Sequence, residues 1–278
     1  MWSDINEKNV EIFVATHLDV TNPLYSDIYQ LMQAGTAIAE NRFNMPGDDT
    51  DDNISEKNLY YNELTILYWA WKNSKADVKG LCHYRRFFTT SYTSYKPTYI
   101  LDRKTIHNVL KENDLIVPLP SYYRYKTVRE GYLYNNVGLE SDLEILEKVL
   151  SEKYPDYMEA YKQVMQSFKM SFCNMLISNS DIFDAYCEWL FAILFEVERN
   201  IELAGRESQQ KRALGFMAER LLNVWIHKNY SLRIQYYPVV KLGQKKNCRY
   251  YIKRISEITG LYKSLKAWKD SYEQKTVK

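Results

Sequence analysis

The chain has 278 residues, 46% hydrophobic and 26% charged, which is enough to bury a substantial core and too apolar for disorder. Its longest purely apolar run, Trp189 to Phe195, falls well short of the roughly 20 residues that cross a bilayer. The net charge of +2 is partitioned: 241–278 carry 11 basic and 3 acidic side chains (net +8), and the first 240 residues carry 26 basic and 32 acidic (net −6).

The start of the chain is polar and charged, with Asp4, Glu7 and Lys8, unlike a secretory leader. Cys82, Cys173, Cys187 and Cys248 lie far apart, with no CxxC pair and no histidine at zinc spacing. That is the usage of free thiols in a reducing cytosol, so a cytoplasmic location is expected. Tyrosine (25) and tryptophan (6) are abundant, and such rings can fill a core or offer flat faces to sugars and bases.

In chain order, residues 9–16 read as a short buried strand. A loop rich in Asp, Asn and Gly follows, from 41 to 53. The spacing of Tyr60, Leu64, Leu67, Tyr68 and Trp71 predicts one helix, with Asn53 or Ser55 as its cap. Val78 to Cys82 and Leu115 to Val117 read as central strands, with a helix over Arg103 to Glu112 between them. That order predicts a parallel sheet with crossover helices. Tyr122 to Gly138 reads as a long loop, a kind that is usually functional. Helices are expected over 140–150, 155–167, 180–203 and 208–229, with further strands at 171–177 and 232–239. The fold class is therefore α/β, with a mostly parallel sheet and a helical second half.

Glycine-rich dinucleotide loops, Walker loops, HExxH and Gly-x-Ser-x-Gly are absent from the sequence, which holds nine glycines in all. A bound phosphate would thus be neutralised by side chains. Gly80-Leu-Cys-His-Tyr-Arg-Arg86 stands where a central strand should end, the edge at which open α/β sheets bind ligands. His83, Arg85 and Arg86 are the candidate phosphate ligands there, since a guanidinium stays charged and grips oxygens bidentately. Asp48-Asp-Thr-Asp-Asp-Asn53, continued to Asn58, offers oxygens that could ligate a hard cation, cap a helix or bond sugar hydroxyls. Asp49-Thr-Asp51 matches an Asp-x-Asp pattern, so manganese or magnesium is the candidate cofactor. Leu214-Gly-Phe-Met-Ala-Glu-Arg220 opens a long helix, and its Glu219 could act as a general base or pair with Arg220. Glu63 presents the same choice on the earlier helix.

The stretches 48–58, 60–65 (Tyr-Tyr-Asn-Glu-Leu-Thr), 68–73 (Tyr-Trp-Ala-Trp-Lys-Asn) and 80–86 together resemble the DUF4422 family, as do Cys187-Glu-Trp-Leu-Phe191 and Glu219-Arg-Leu-Leu-Asn-Val-Trp225. The resemblance covers about residues 9 to 240. It implies a GT-A-like glycosyltransferase of bacterial capsule, exopolysaccharide or O-antigen assembly, a group that includes galactofuranosyltransferases. Carried onto this sequence, it implies a UDP-sugar held by Thr16, His17, Asp48, Asp49, Asn53, Asn58, His83, Tyr84, Arg85 and Arg86. Glu219 and Asp52 are the expected catalytic carboxylates; Glu63, Asn174 and Arg220 face the acceptor, a lipid-linked saccharide. Asp51 stands where the family's loop pattern leads one to expect glycine, so the reading favours His83, Arg85 and Arg86 in place of a metal. Inversion is preferred. The alternatives are a pyranose-transferring enzyme of the same fold and a non-catalytic glycan-binding or assembly protein.

The expected division is a transferase domain over 1–240 and a basic tail over 241–278. In the tail an apolar stripe (Tyr251, Ile252, Ile255, Ile258, Leu261, Tyr262, Leu265, Trp268) runs between lysines and arginines, as in a helix lying on an anionic membrane face. This predicts a protein peripheral to the inner face of the cell membrane. Nucleic acid is not an expected partner, because the body is acidic and carries no recognised binding motif.

Overall fold

The structure is a computed structural model, and it describes residues 8–20, 27–91, 96–123, 125–134, 137–243 and the isolated positions 255 and 259. The basic stripe expected in the tail lies outside the described residues apart from Ile255 and Thr259. Among the described residues, no helix is long and apolar enough to cross a membrane.

The strands are β1 (Val10–Thr16), β2 (Tyr29–Gln33), β3 (Val78–His83), β4 (Arg86–Phe88), β5 (Leu115–Pro118), β6 (Ser121–Tyr122), β7 (Lys169–Met170), β8 (Leu176–Asn179), β9 (Ile234–Tyr237) and β10 (Val239–Lys241). The helices are α1 (Asn58–Tyr61), α2 (Leu64–Asn73), α3 (Arg103–Glu112), α4 (Val128–Leu133), α5 (Glu140–Lys153), α6 (Met158–Gln166), α7 (Ser180–Asn200), α8 (Ser208–Lys211) and α9 (Ala213–Lys228). Eight strands form one mixed sheet. β2, β1 and β3 run parallel, β8 lies antiparallel between β3 and β5, and β9 runs parallel to β5. The small strands β6 and β7 pair separately. The expected mostly parallel α/β sheet is present.

Alternation along the strands divides the core in two, because successive side chains point to opposite faces. Phe13, Ala15, Leu81, Leu115, Val117 and Leu176 pack with the apolar sides of α2, α5, α6, α7 and α9. Ile12, Val14, Val78, Cys82, Ile116 and Ile177 face the other way, against α3 and β4. The helical second half therefore covers one face. Lys79 points into that layer, almost wholly buried, and pairs with Asp184 at 2.8 Å.

Several local expectations are corrected. The single helix expected around Tyr60 to Trp71 is broken at Asn62, whose backbone is left-handed (φ 52°, ψ −125°). The break is held by Asn58, whose amide Nδ2 donates to the Asn62 carbonyl and to Thr65. No side chain caps the first helical turn; Asn53 instead accepts from the Ser55 N–H. Of the strand expected over 171–177 only Leu176 and Ile177 are in one, the start of β8, because Cys173 (φ 80°) and Asn174 (φ 49°) both adopt left-handed backbone, which a ladder cannot include. The loop at 122–138 contains α4, started by a reciprocal cap between Thr127 and Glu130. The helix expected over 208–229 is two, α8 and α9, with Arg212 outside helical geometry at the junction. β4 and β10 were not expected. β10 pairs antiparallel with β4, and the Leu242 N–H then donates to the Arg85 carbonyl, so the sheet runs past residue 240.

Candidate active site

The register Ala15↔His83 sets the carboxyl ends of β1 and β3 side by side. The left-handed turn at Cys173–Asn174 leads into β8 at the same edge, since Leu176 pairs with Leu81. A cavity of about 530 Å³ opens there, where loops leaving parallel strands leave room for a ligand. From β1 and its exit come Ala15, Thr16 and His17, and from the β3–β4 hairpin come His83, Tyr84, Arg85 and Arg86. Asn58, Asn62 and Glu63 enter from the broken helix, and Arg212, Phe216 and Glu219 from the start of α9.

One wall is cationic and aromatic. His17 meets the Tyr84 ring edge-on at 5.5 Å, and the Arg85 guanidinium lies over that ring at 4.6 Å. Burial, followed by the charges of Arg85 and Arg212, lowers the pKa of His17, which favours neutral imidazole. Among the described residues neither Arg85 nor Arg86 has an acidic partner within ion-pair distance. The His83 pKa is also lowered, chiefly by burial, with Glu63 opposing. His83 Nε2 lies 2.6 Å from the Cys173 carbonyl. A carbonyl only accepts, so Nε2 carries the hydrogen and neutral His83 keeps its lone pair on Nδ1.

A second group of lining residues is acidic. Glu219 accepts from the Cys173 N–H at 2.8 Å, and its other oxygen stands 3.4 Å from Arg220. Burial raises the Glu219 pKa; Arg220 opposes this, and nearby Glu63 adds to it. Glu63 accepts from Asn174, whose amide also donates to the Gly215 carbonyl on α9. The Cys173–Asn174 turn thus touches His83, Glu219 and Glu63 at once. A left-handed pair of non-glycine residues is strained backbone, and such strain collects at functional sites. The Cys173 thiol, pushed up to about 12 mainly by burial, stays protonated and is no nucleophile at neutral pH. Arg220 is buried and donates to the Phe216 carbonyl and the Tyr123 hydroxyl, so it braces α9 behind the wall.

The structure brings Thr16, His17, Asn58, Glu63, His83 and Tyr84 to the cavity, together with Arg85, Arg86 and Glu219. Asn174 and Arg220 stand one layer behind. The acidic loop is different. Asp48 is fully buried and accepts from the N–H groups of Gly35 and Thr36 and from the hydroxyls of Ser55 and Thr65. Asp49 pairs with Arg42, Asp52 accepts from the Tyr68 hydroxyl, and Asn53 donates to the carbonyls of Thr50 and Asp51. None of Asp48, Asp49, Asp52 and Asn53 lines the cavity. Asp49 and Asp51 are therefore poorly placed for a cation at this cavity. Among the described residues no cluster of three or more His, Cys, Asp and Glu side chains stands at metal-binding distance.

Asn62, Cys173, Arg212 and Phe216 were missed by the sequence reading. A helix break inside an apolar period and a lone arginine between two short helical patterns leave little trace in periodicity. The one legible signal was the nearness of Arg212 to the Leu214–Arg220 stretch.

A cleft with three arginines and two carboxylates, at the carboxyl edge of a mixed α/β sheet, has the make-up of a site for phosphorylated ligands. The chain belongs to the DUF4422 family, described as a domain of unknown function, whose profile matches residues 11–230. It is similar to the solved apo structure of the bifunctional glycosyltransferase WbbM: 29% identity, a TM-score of 0.77, and alignment over 85% of this chain. The chain spans 46% of that protein's length. No curated protein matches it.

Proposed function

We propose that the chain is a glycosyltransferase that moves a sugar from a UDP-sugar donor to a hydroxyl of a growing, lipid-linked surface polysaccharide, with galactofuranose as the preferred sugar. The carrying observation is the company these groups keep in one cavity: Arg85 and Arg86, without acidic partners among the described residues, together with Glu219, whose pKa is raised chiefly by burial. The likeness to a bifunctional glycosyltransferase supports the reading, as does membership of DUF4422.

In this mechanism the acceptor oxygen forms a bond to the anomeric carbon as the bond from that carbon to the phosphate oxygen breaks. The Glu219 carboxylate takes the acceptor proton, and the UDP leaves with the bonding electron pair. A carboxylate whose pKa is raised by burial is a better base near neutrality than an exposed one. Arg85 and Arg86 stabilise the charge that grows on the diphosphate, so their contribution is largest in the transition state. Single displacement with Glu219 as base inverts the anomeric centre. The Cys173 N–H fixes one Glu219 oxygen, and the other, 3.4 Å from Arg220, is the one that takes the proton.

The test is calorimetric titration of UDP and UDP-sugars into wild type and Arg85→Ala, followed by a transfer assay on a lipid-linked saccharide. Binding that Arg85→Ala weakens, with turnover on an acceptor, is expected. A protein that binds glycan yet neither binds nor consumes any nucleotide sugar would replace the transferase with a non-catalytic assembly role.

A further inference from the structure

We propose that Arg212, aimed by Asn62, is a third diphosphate-binding cation, supplied from the junction of α8 and α9 to a site whose other arginines sit on the β3–β4 hairpin. This rests on the donor-binding reading above and adds to it a residue from the second half of the chain.

Arg212 lines the cavity, and its charge is felt at both His17 and His83, so it stands across the exits of β1 and β3. Its Nε donates to the Asn62 side-chain amide oxygen Oδ1 at 2.9 Å. Among the described residues no acid pairs with it, and both Nη groups remain available. Behind it the Phe216 ring lies 5.3 Å from the guanidinium, a face that orients the plane without using up a donor. A guanidinium held by Nε with two free Nη groups is the geometry that accepts two oxygens of a phosphate side by side.

Asn62 supplies the independent observation. Its φ of 52° with ψ of −125° is strained for any residue with a side chain, yet the chain places asparagine there rather than glycine. The strain points its amide oxygen at Arg212. It also leaves the Asn62 Nδ2 buried without a hydrogen-bond partner among the described residues, in a residue that lines the cavity. Gly215 gives the amide its room: a Cβ there would lie 3.3 Å from Asn62 Nδ2.

The experiment compares calorimetric binding of UDP, uridine and inorganic pyrophosphate to wild type, Arg212→Ala, Arg212→Lys, Asn62→Gly and Asn62→Asp, with thermal melting of each variant. Arg212→Ala should lose at least about tenfold in affinity for UDP and pyrophosphate, and Lys should recover only part of it. Uridine should bind as before. Asn62→Gly relieves the backbone and removes the aiming amide, so it should melt no lower than wild type while binding UDP more weakly. Asn62→Asp gives Arg212 a competing carboxylate and should be the weaker diphosphate binder of the two. Unchanged UDP and pyrophosphate affinity in a folded Arg212→Ala overturns the proposal, and so does an equal loss for uridine. Wild type that binds pyrophosphate through Arg212 but no uridine nucleotide keeps this assignment while overturning the UDP-sugar donor. Wild type that binds neither overturns both.

Discussion

The acidic loop around Asp48 and the acidic wall of the cavity use carboxylates in opposite ways. Asp48 is buried with four donors closing on its two oxygens, two from backbone N–H groups and two from hydroxyls. Such a carboxylate is saturated, and its work is to hold residues 35–36 against 55 and 65. Glu219 is also sheltered, but it has two donors, the Cys173 N–H at 2.8 Å and the Arg220 guanidinium at 3.4 Å, and it lines the cavity. Number of acids therefore says little about chemistry. The number of donors already committed to each oxygen says much more.

The strongest test of this contrast is Glu219→Gln. The amide keeps an oxygen for the Cys173 N–H but takes no proton, so turnover should fall by roughly 10²–10⁴ while the melting temperature holds. A variant that turned over normally would move the base elsewhere, with Glu63 the first place to look. Asp48→Ala should show the inverse. Four donors lose their acceptor, and chemical denaturation should report a loss of roughly 3–5 kcal/mol, with turnover per folded molecule little changed. Arg85→Ala should weaken UDP binding by about tenfold or more with little loss of stability, because among the described residues it breaks no ion pair.

A subtler test reads the two carboxylates of the wall against each other. Burial and Glu63 both raise the Glu219 pKa. A base must be ionised, so kcat/KM should fall as pH drops through that raised value, above the range of an ordinary glutamate. Removing the negative neighbour with Glu63→Gln should move this acid limb to lower pH. An unmoved limb would assign it to another group. The smallest effect is expected from Asp52→Asn. This side chain is exposed and accepts from Tyr68, so turnover should stay within about twofold and stability within about 0.5 kcal/mol.

How far the sequence could be read follows the same contrast. The β3 exit was legible because an apolar strand run ends in consecutive polar and basic residues, and all of 83–86 reach the cavity. Glu219 was legible because it sits on a periodic helix. Asp48, Asp49 and Asp52 misled, because residue type cannot reveal whether a carboxylate is already saturated by distant donors such as Gly35 and Thr65. The break at Asn62 and the turn at Cys173–Asn174 were illegible for a related reason. Left-handed backbone at these non-glycine residues is held by side-chain hydrogen bonds, local from Asn58 to Asn62 and long-range from Asn174 to Glu63 and Gly215, which hydrophobic periodicity does not record. β10 escaped because a three-residue strand has too few positions to alternate.

That last strand also fixes when the site can exist. β10 is the outer partner of β4, and Leu242 bonds the carbonyl of Arg85 itself. The hairpin that carries the two arginines is made early in synthesis, but its supporting edge arrives more than 150 residues later. A nascent chain still inside the ribosome at residue 238 would hold most of the core and lack the brace on its arginine hairpin. The arginine hairpin therefore gains its outer strand only after synthesis has passed residue 241.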